Sequence, residues 1–411
     1  MSLAAKAVAL ILCSLQLQAQ LITMTLGTGT TVSSSSAGAD TNHLSVWTPA
    51  GGGGNFNGGH VFGPCLGDGA WSGGTGYHIQ FCEVTAFGPA VVTQILALSD
   101  YKQTAQNGCF GDNAGIAAGN YSHSAGLHAY SVNGTIYLFI QCQTDGDPFE
   151  TFATLLIASC DNGAHWTNYA NWKTNTNACA SPGSTTGDVP TAHNSTNVQW
   201  ANPAYTKAVS WMGKATLVQI AQDGATPPVI PGVDTTYNYF ISNNEVGSVN
   251  TTHQLYCHRV LKSVDQMPPT NWSHWNGTTW VADASIATVA NIMPSGWASS
   301  TIFSQGAFYT PELGKFIMLV DGAFTIPYPF ATADFPWGPW TIARDQSPQK
   351  GKYHGYGFTT PILASKAAIT NGISIWVATD GNNGDLVNMD RFGFQQLLFT
   401  RAASPIVTGV Q

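Results

Sequence analysis

Short apolar runs rich in β-branched and aromatic residues recur along the chain, and clusters of Gly, Asn, Ser, Thr and Pro separate them. Runs of this kind are typical of strands joined by turns. Long helical periodicity is absent, and only 362–368 has room for a helical turn or two. The pattern therefore predicts an all-β protein, with strands at 78–84, 91–96, 134–142, 152–159, 215–222, 237–241, 254–260, 314–320, 374–378 and 394–401.

The strands group into loosely similar units. Each unit has a small or polar start, an apolar strand, a turn, and a second strand that ends near an aromatic residue. Units of this size are typical of four-stranded propeller blades. We expect one β-propeller domain over 42–411, and a large sandwich or irregular barrel is the alternative for the same strand count. The units cover 44–100, 123–180, 200–280, 297–345 and 353–404.

The N-terminus has the features of a secretory signal. Lys6 is its only charge, an apolar run covers 7–15, and Ala19 suits a cleavage site. That run is shorter than the roughly 20 apolar residues that a membrane span needs. We expect a signal peptide at 1–19, a flexible Ser/Thr-rich lead-in at 20–41, and a secreted, extracellular protein that does not associate with membranes. A glycoprotein is consistent with the sequons at Asn120, Asn133, Asn194, Asn250, Asn271 and Asn276.

Composition narrows the class of partner. Only 9% of the residues are charged, and the 14 Lys and Arg form no basic run. The sequence therefore lacks the clustered positive charge that is typical of nucleic-acid-binding proteins. Low charge and 11% aromatic residues suit a neutral or weakly charged polysaccharide or oligosaccharide. We expect such a substrate and a monomeric protein.

The cysteines indicate structural disulfides. Eight Cys are present and Cys13 leaves with the signal, so an odd number remains and at least one thiol stays unpaired. No CxxC pair occurs, which argues against a zinc cluster. Cys65 with Cys82 and Cys142 with Cys160 are candidate pairs because their strands are predicted to be neighbours.

The segment from Ser159 to Trp166 fits the S-x-D-x-G-x-x-W pattern of the Asp-box, and it resembles the hairpin turns of sialidase-like propellers. In such a turn the Asp accepts hydrogen bonds from turn amides, Gly supplies a positive φ, and Trp packs between strands. Asp161 is therefore assigned a folding role and is not counted as a catalytic acid.

Further segments extend the resemblance in the same order. Residues 125–140 are similar to the strand that precedes the Asp-box in secreted bacterial proteins related to the domain of unknown function 4185. Similar matches follow at Asn202-Pro203, at 255–260 with Trp272, at 307–319 and at 336–340. The resemblance covers most of 60–404. It implies a five-bladed propeller similar to glycoside hydrolase families 43 and 183, which include endo-acting arabinanases.

The resemblance places a catalytic carboxylate at Asp68, between Gly67 and Gly69. Glycines let a sugar ring approach the backbone, and Trp71 could stack on the ring; a turn Asp is the alternative. Inverting glycosidases need a second carboxyl group about 6.5–9.5 Å away, and retaining ones need it nearer. The earlier Asp of the family has no match in 51–60, where His60 stands as a substitute base or a binding group.

Glu245 is the best second carboxylate. It is one of only four Glu and follows an Asn pair after the apolar strand 237–241. Burial at the end of an inner strand would raise its pKa and suit a general acid. Asp223 and Asp380 lie in Asp-Gly pairs, which usually form turns. We expect the substrate to contact His60, Trp71, Asp112, His128, Asp321, His354 and Arg391, although Asp321 also lies in an Asp-Gly pair and a hydrogen-bonded core histidine is the alternative for His128 and His354.

Three functions stay open. The first is a secreted glycoside hydrolase, with Asp68 as base or nucleophile and Glu245 as acid. The second is a polysaccharide lyase on a uronate-containing glycan, with His60 as base and Arg391 as the best placed of the four Arg considered. The third is a lectin-like propeller without catalysis. No spaced Asp cluster prescribes a Ca²⁺ site, so we expect no required cofactor, although the propeller axis leaves room for a structural Ca²⁺ ion.

Overall fold

Strands dominate the computed structural model. It describes residues 22–32, 61–66, 77–87, 91–103, 122–144, 151–159, 200–201, 212–222, 224–243, 254–282, 289–297, 302–322, 330–343, 358–380 and 392–401. These ranges contain twenty β-strands, two short 3-10 helices (Pro269–Asn271 and Ser295–Trp297) and no α-helix, which confirms the all-β prediction. Within them, no helical segment has the length and apolarity to cross a bilayer.

Consecutive strands pair antiparallel in five meanders. The first contains β2 (Val61–Leu66), β3 (Tyr77–Phe87) and β4 (Val91–Gln103); the second contains β5 (Ser122–Val132), β6 (Thr135–Thr144), β7 (Thr151–Ser159) and β8 (Trp200–Ala201). The third contains β9 (Gly213–Gln219), β10 (Tyr237–Asn243), β11 (Leu255–Leu261), β12 (Trp272–Trp275) and β13 (Trp280–Ala282). The fourth contains β14 (Ile302–Thr310), β15 (Lys315–Gly322), β16 (Phe330–Ala333) and β17 (Thr341–Ile342); the fifth contains β18 (Phe358–Ile369), β19 (Gly372–Asp380) and β20 (Phe392–Arg401).

The N-terminal strand β1 (Ile22–Val32) joins the fifth meander, where it pairs antiparallel with β20. Ile22 and Met24 are buried, whereas Thr25 is exposed. This segment lies inside the range 20–41 that the composition assigned to a flexible lead-in, so that assignment is wrong for residues 22–32. The physical reason is the alternation of apolar residues with Thr, a β-branched residue that suits a pleated strand.

The first strands of successive meanders lie side by side. β2 contacts β5, β5 contacts β9, and β14 contacts β18. β9 and β14 form a short parallel pair in which Ala307 lies opposite Val218. The meanders are therefore arranged around their first strands.

The hydrophobic cores lie between neighbouring meanders. Phe316, Met318 and Val320 of β15 pack with the third meander. The alternate residues Ile317 and Leu319 pack with the fifth meander and β1. Because successive side chains of a strand point to opposite faces, the fourth meander is buried on both sides. Burial of each large apolar side chain contributes about 1.5–3 kcal/mol.

Residues 362–368 form no helical turn. They belong to β18, whose pairing with β19 is irregular between Ile362 and Ala367. At this irregularity the Ser365 hydroxyl donates to the Ile362 carbonyl at 2.6 Å and accepts from the Trp376 N–H at 2.8 Å. The helical expectation was wrong because a small polar residue bends the strand without ending it.

The cysteine predictions are partly tested. Cys65 and Cys82 lie on paired strands, with Cys82 opposite Gly63, so their disulfide stays a prediction. Cys142 lies opposite Ala153, whereas Ser159, which precedes residue 160, lies opposite Ile136 at the other end of that strand pair. Cys257 is a buried free thiol, as the odd cysteine count requires of at least one residue.

Candidate functional site

The structure describes two of the predicted site residues. His128 lies on β5 with its side chain described, and Asp321 lies on β15 and is placed by its backbone. The remaining candidates lie outside the described residues: His60, Asp68, Trp71, Asp112, Glu245, His354 and Arg391. Residues 160–166 of the Asp-box lie outside them too.

Antiparallel pairing gives each meander two distinct ends. We call the end where the first strand begins and the second strand finishes the strand-start end, and the opposite end the strand-finish end. In the third meander Gly213, the first residue of β9, pairs with Asn243, the last of β10. In the fourth, Ile302 pairs with Gly322. Both pairs lie at the strand-start end.

A buried amide pair connects the third and fourth meanders at this end. The Asn243 side chain donates from Nδ2 to Oε1 of Gln305 at 3.1 Å. Gln305 in turn donates from Nε2 to the Ile241 carbonyl at 2.9 Å. Asn243 and Gln305 are both fully buried. The end of β10 is therefore held against the start of β14.

Asp321 belongs to the same neighbourhood. It lies opposite Ser304 in the β14–β15 pair, and Ser304 precedes Gln305. The Asp-Gly pattern favoured a turn, but Asp321 lies in strand β15. Asp380 likewise ends strand β19, opposite Phe392. The turn predicted from the Asp-Gly pairs was wrong for both residues. Asp321 and Asp380 pair with neighbouring strands, and this pairing supplies the backbone hydrogen bonds that a turn would otherwise make.

The two carboxylates favoured by sequence follow strands that finish at opposite ends. Glu245 is two residues beyond Asn243, which closes β10 at the strand-start end. Asp68 is two residues beyond Leu66, which closes the first strand of its meander at the strand-finish end. β10 and β2 therefore finish at opposite ends of their meanders.

A series of fully buried, hydrogen-bonded polar side chains lies beside the strand-start end of the third meander. Ser242 Oγ is 2.6 Å from His258 Nε2, and His258 Nδ1 is 2.7 Å from His274 Nδ1. Because the second contact joins two Nδ1 atoms, one imidazole donates and the other accepts. Full burial of the three residues excludes Ser242 as a nucleophile that meets solvent in this conformation.

These three hydrogen-bonded residues are not among the candidates that the sequence suggests. Their signal is a polar residue at an inward position of three neighbouring strands: Ser242 on β10, His258 on β11 and His274 on β12. His258 and His274 are register partners, and neighbouring Val260 and Trp272 pair in the same way. Register between residues 16 positions apart, as in Ser242–His258 and His258–His274, cannot be obtained from local spacing.

His128 is buried and neutral. Its Nε2 accepts the Leu217 N–H at 2.9 Å, which joins β5 to β9. Burial lowers the pKa of His128 to about 3. With Nε2 accepting, the ring hydrogen resides on Nδ1. The sequence predicts that the substrate contacts His128, and a cavity borders this residue.

Arg259 and Trp297 are both held in contacts with other side chains of the protein. The guanidinium of Arg259, one of the four arginines of the sequence, lies 4.1 Å from the ring centre of Tyr237 and 4.4 Å from that of Trp280. Its Nε also donates to Ser273 Oγ at 3.3 Å. Trp297 is fully buried in the core between the third and fourth meanders. Neither residue presents a free binding face.

The described residues contain no group of three or more His, Cys, Asp or Glu side chains arranged to hold a metal ion.

Comparison with known proteins gives distant similarity only. No family model matches the chain, and no curated protein matches it. An N-acetylgalactosamine deacetylase from F. plautii, solved with blood group B trisaccharide, is 13% identical with a TM-score of 0.45, over 91% of this chain and 95% of that one. An α-L-arabinofuranosidase from Podospora anserina, solved with cellotriose, is 13% identical with a TM-score of 0.39, over 94% and 98%.

A third solved structure, described as an exo-β-1,3-galactanase from Bifidobacterium bifidum, is 12% identical with a TM-score of 0.44, over 94% of this chain and 99% of that one. Similarity at this level does not transfer an activity or a site. The function is therefore argued from the residues.

Proposed function

We propose that this protein is a secreted, monomeric, five-bladed β-propeller that hydrolyses glycosidic bonds in a polysaccharide. Five antiparallel meanders, contacts between their first strands and cores between neighbouring meanders support the propeller. β1 adds a strand from the N-terminus to the last meander, which suits ring closure. The sequence resemblance to sugar-processing propellers supports the substrate class.

The buried hydrogen bond between Asn243 and Gln305 carries the catalytic part of the proposal. Glu245 follows Asn243 by two residues, and two residues of chain reach at most about 7 Å, which supports assigning Glu245 to this end. Opposed residues of an antiparallel pair lie about 5 Å apart, so Asp321 stays near Ser304, the neighbour of Gln305. We therefore assign Glu245 and Asp321 to the strand-start end of the third and fourth meanders.

The assignment requires the Glu245 and Asp321 carboxyl groups to approach to the spacing that glycosidases use, about 5–5.5 Å in retaining enzymes and 6.5–9.5 Å in inverting ones. We assign Glu245 as the general acid and Asp321 as its carboxylate partner. A general acid protonates the departing sugar oxygen, while an ionised carboxylate activates water or attacks the anomeric carbon. Asp68, which follows a strand that finishes at the opposite end, is the competing partner.

The experiment is product analysis. The purified protein is incubated with plant, fungal and bacterial polysaccharides, and the products are read by mass spectrometry beside a Glu245→Gln variant. Hydrolysis predicts products that carry the mass of water, formed by the wild type and lost in the variant. Unsaturated products would instead establish a lyase, and a glycan that is retained without cleavage would leave a lectin.

A further inference from the structure

A cavity of about 420 Å³ lies towards the strand-finish end of the second and third meanders, away from the proposed catalytic carboxylates. The end of β5 borders it from His128 to Asn133. Leu217 and Gln219 of β9 and Asn238 of β10 form further parts of the wall, and Leu363 of β18 completes the lining. The cavity is therefore bounded by the first strands of three meanders.

Besides Tyr130 Oη, whose ring packs against Phe139 and Phe240, three buried polar atoms in the lining residues have no hydrogen-bond partner in the part of the chain that the structure describes: His128 Nδ1, Ser131 Oγ and Asn238 Nδ2. The exposed fractions of these residues are 3%, 8% and 8%. Each unpaired buried group costs about 1–3 kcal/mol, and folded proteins normally satisfy such groups. Three such residues around one cavity indicate that an occupant completes the site.

The chemistry of the unpaired atoms specifies that occupant. His128 Nδ1 carries the ring hydrogen because Nε2 accepts from Leu217, and Asn238 Nδ2 is also a donor. The Ser131 hydroxyl can donate or accept. The occupant must therefore offer at least two acceptor oxygens, and it can also donate to Ser131.

The rest of the lining favours an uncharged occupant with apolar faces. The described lining residues include no carboxylate and one cation, Lys262, while Asp223, between Gln222 and Gly224, lies outside the described residues. Val132, Leu217 and Leu363 add apolar wall beside Thr226 and Thr236. A sugar unit combines hydroxyl oxygens with apolar C–H faces, and a pocket of this volume falls in the range of small-molecule sites.

We propose that this cavity is a second binding site, specific for a neutral sugar unit. Binding at this second site requires neither Glu245 nor Asp321, so its test is independent of the proposed hydrolysis. The occupant is either a free monosaccharide or the end of a longer glycan, and both present the same hydroxyl oxygens to His128 and Asn238.

The test is binding measured by NMR on the full chain. The Nδ1–H and Asn side-chain signals of His128 and Asn238 are followed during titration with glucose, galactose, arabinose and xylose, and with their oligosaccharides to separate free sugar from chain end. Galacturonate and inorganic phosphate serve as charged probes. We expect a neutral sugar to shift both signals, and Asn238→Leu and His128→Gln to weaken its binding at least tenfold.

Ser273→Ala, on β12 and outside the cavity lining, is the matched control and should bind as the wild type does. Thermal unfolding of each variant verifies folding, and His128→Gln keeps an acceptor for the Leu217 N–H. Shifts caused only by galacturonate or phosphate would overturn the proposal, as would no shift with any neutral sugar at 50-fold excess. Absence of hydrolysis by the wild type, with sugar binding at this cavity intact, would reject the proposed hydrolysis alone.

Discussion

The side chain of Asn243 donates a hydrogen bond to Gln305 across the boundary between the third and fourth meanders, at 3.1 Å and with both residues fully buried. Gln305 also donates to the Ile241 carbonyl at 2.9 Å. One amide side chain therefore fixes the end of β10 to the start of β14.

Replacing Gln305 with Leu should lower the free energy of unfolding by about 1–3 kcal/mol, because the Ile241 carbonyl loses a donor and Asn243 loses an acceptor. Urea unfolding of Gln305→Leu, Asn243→Leu and the double variant measures this. The double variant should cost less than the sum of the single ones, with a coupling of about 0.5–3 kcal/mol. Simple additivity would mean that the pair does not hold the two strands together.

Acid should destabilise the protein through His128. Burial lowers the pKa of His128 to about 3, whereas an unfolded histidine titrates near 6.5. As the pH falls from about 6.5 to 3, the unfolded chain takes up a proton that the folded one does not. The free energy of unfolding then decreases by up to about 1.4 kcal/mol per pH unit from this group.

The His128→Gln variant removes that titration and keeps an acceptor for the Leu217 N–H. Between pH 7 and pH 4 its free energy of unfolding should therefore fall less steeply than that of the wild type, measured by urea unfolding at each pH. Parallel pH profiles would show that His128 is protonated as readily in the folded chain as in the unfolded one.

Strand β1 should be required for stability. A chain that lacks residues 1–32 loses the burial of Ile22 and Met24, each worth about 1.5–3 kcal/mol, and leaves β20 without its outer partner. Its melting temperature should be several degrees below that of a chain that lacks only 1–19. Equal melting temperatures of the two truncated chains would show that residues 20–32 do not stabilise the fold, as expected of the flexible lead-in that the composition predicts.

Strand content could be predicted from the sequence, because local alternation of apolar and polar residues is visible without the fold. The predicted strand at 237–241 lies within β10, and that at 314–320 overlaps β15. β1 was missed because Thr, Ser and Gly are common to loops and to exposed strand positions. The composition of a segment is not decisive when its partner strand lies almost 400 residues away, as β20 does.

The candidate site was less predictable, for reasons of topology. Asp68 and Glu245 are comparable in sequence, since each follows an apolar run, and only strand order reveals that one run is a first strand and the other a second. Asp321 was discounted as a turn residue and lies in a strand opposite Ser304. The chain from Ser242 through His258 to His274 depends on register across three strands.

The rate of glycosidic cleavage by three single variants is the most direct test of the catalytic assignment. On the polysaccharide that the wild type cleaves, kcat should fall at least about 100-fold in Glu245→Gln and in Asp321→Asn, because each removes a group that transfers a proton or attacks in the transition state. Asp68→Asn should retain kcat within a few-fold of the wild type. Loss of cleavage in Asp68→Asn, with Asp321→Asn close to wild type, would contradict the assignment of the strand-start end.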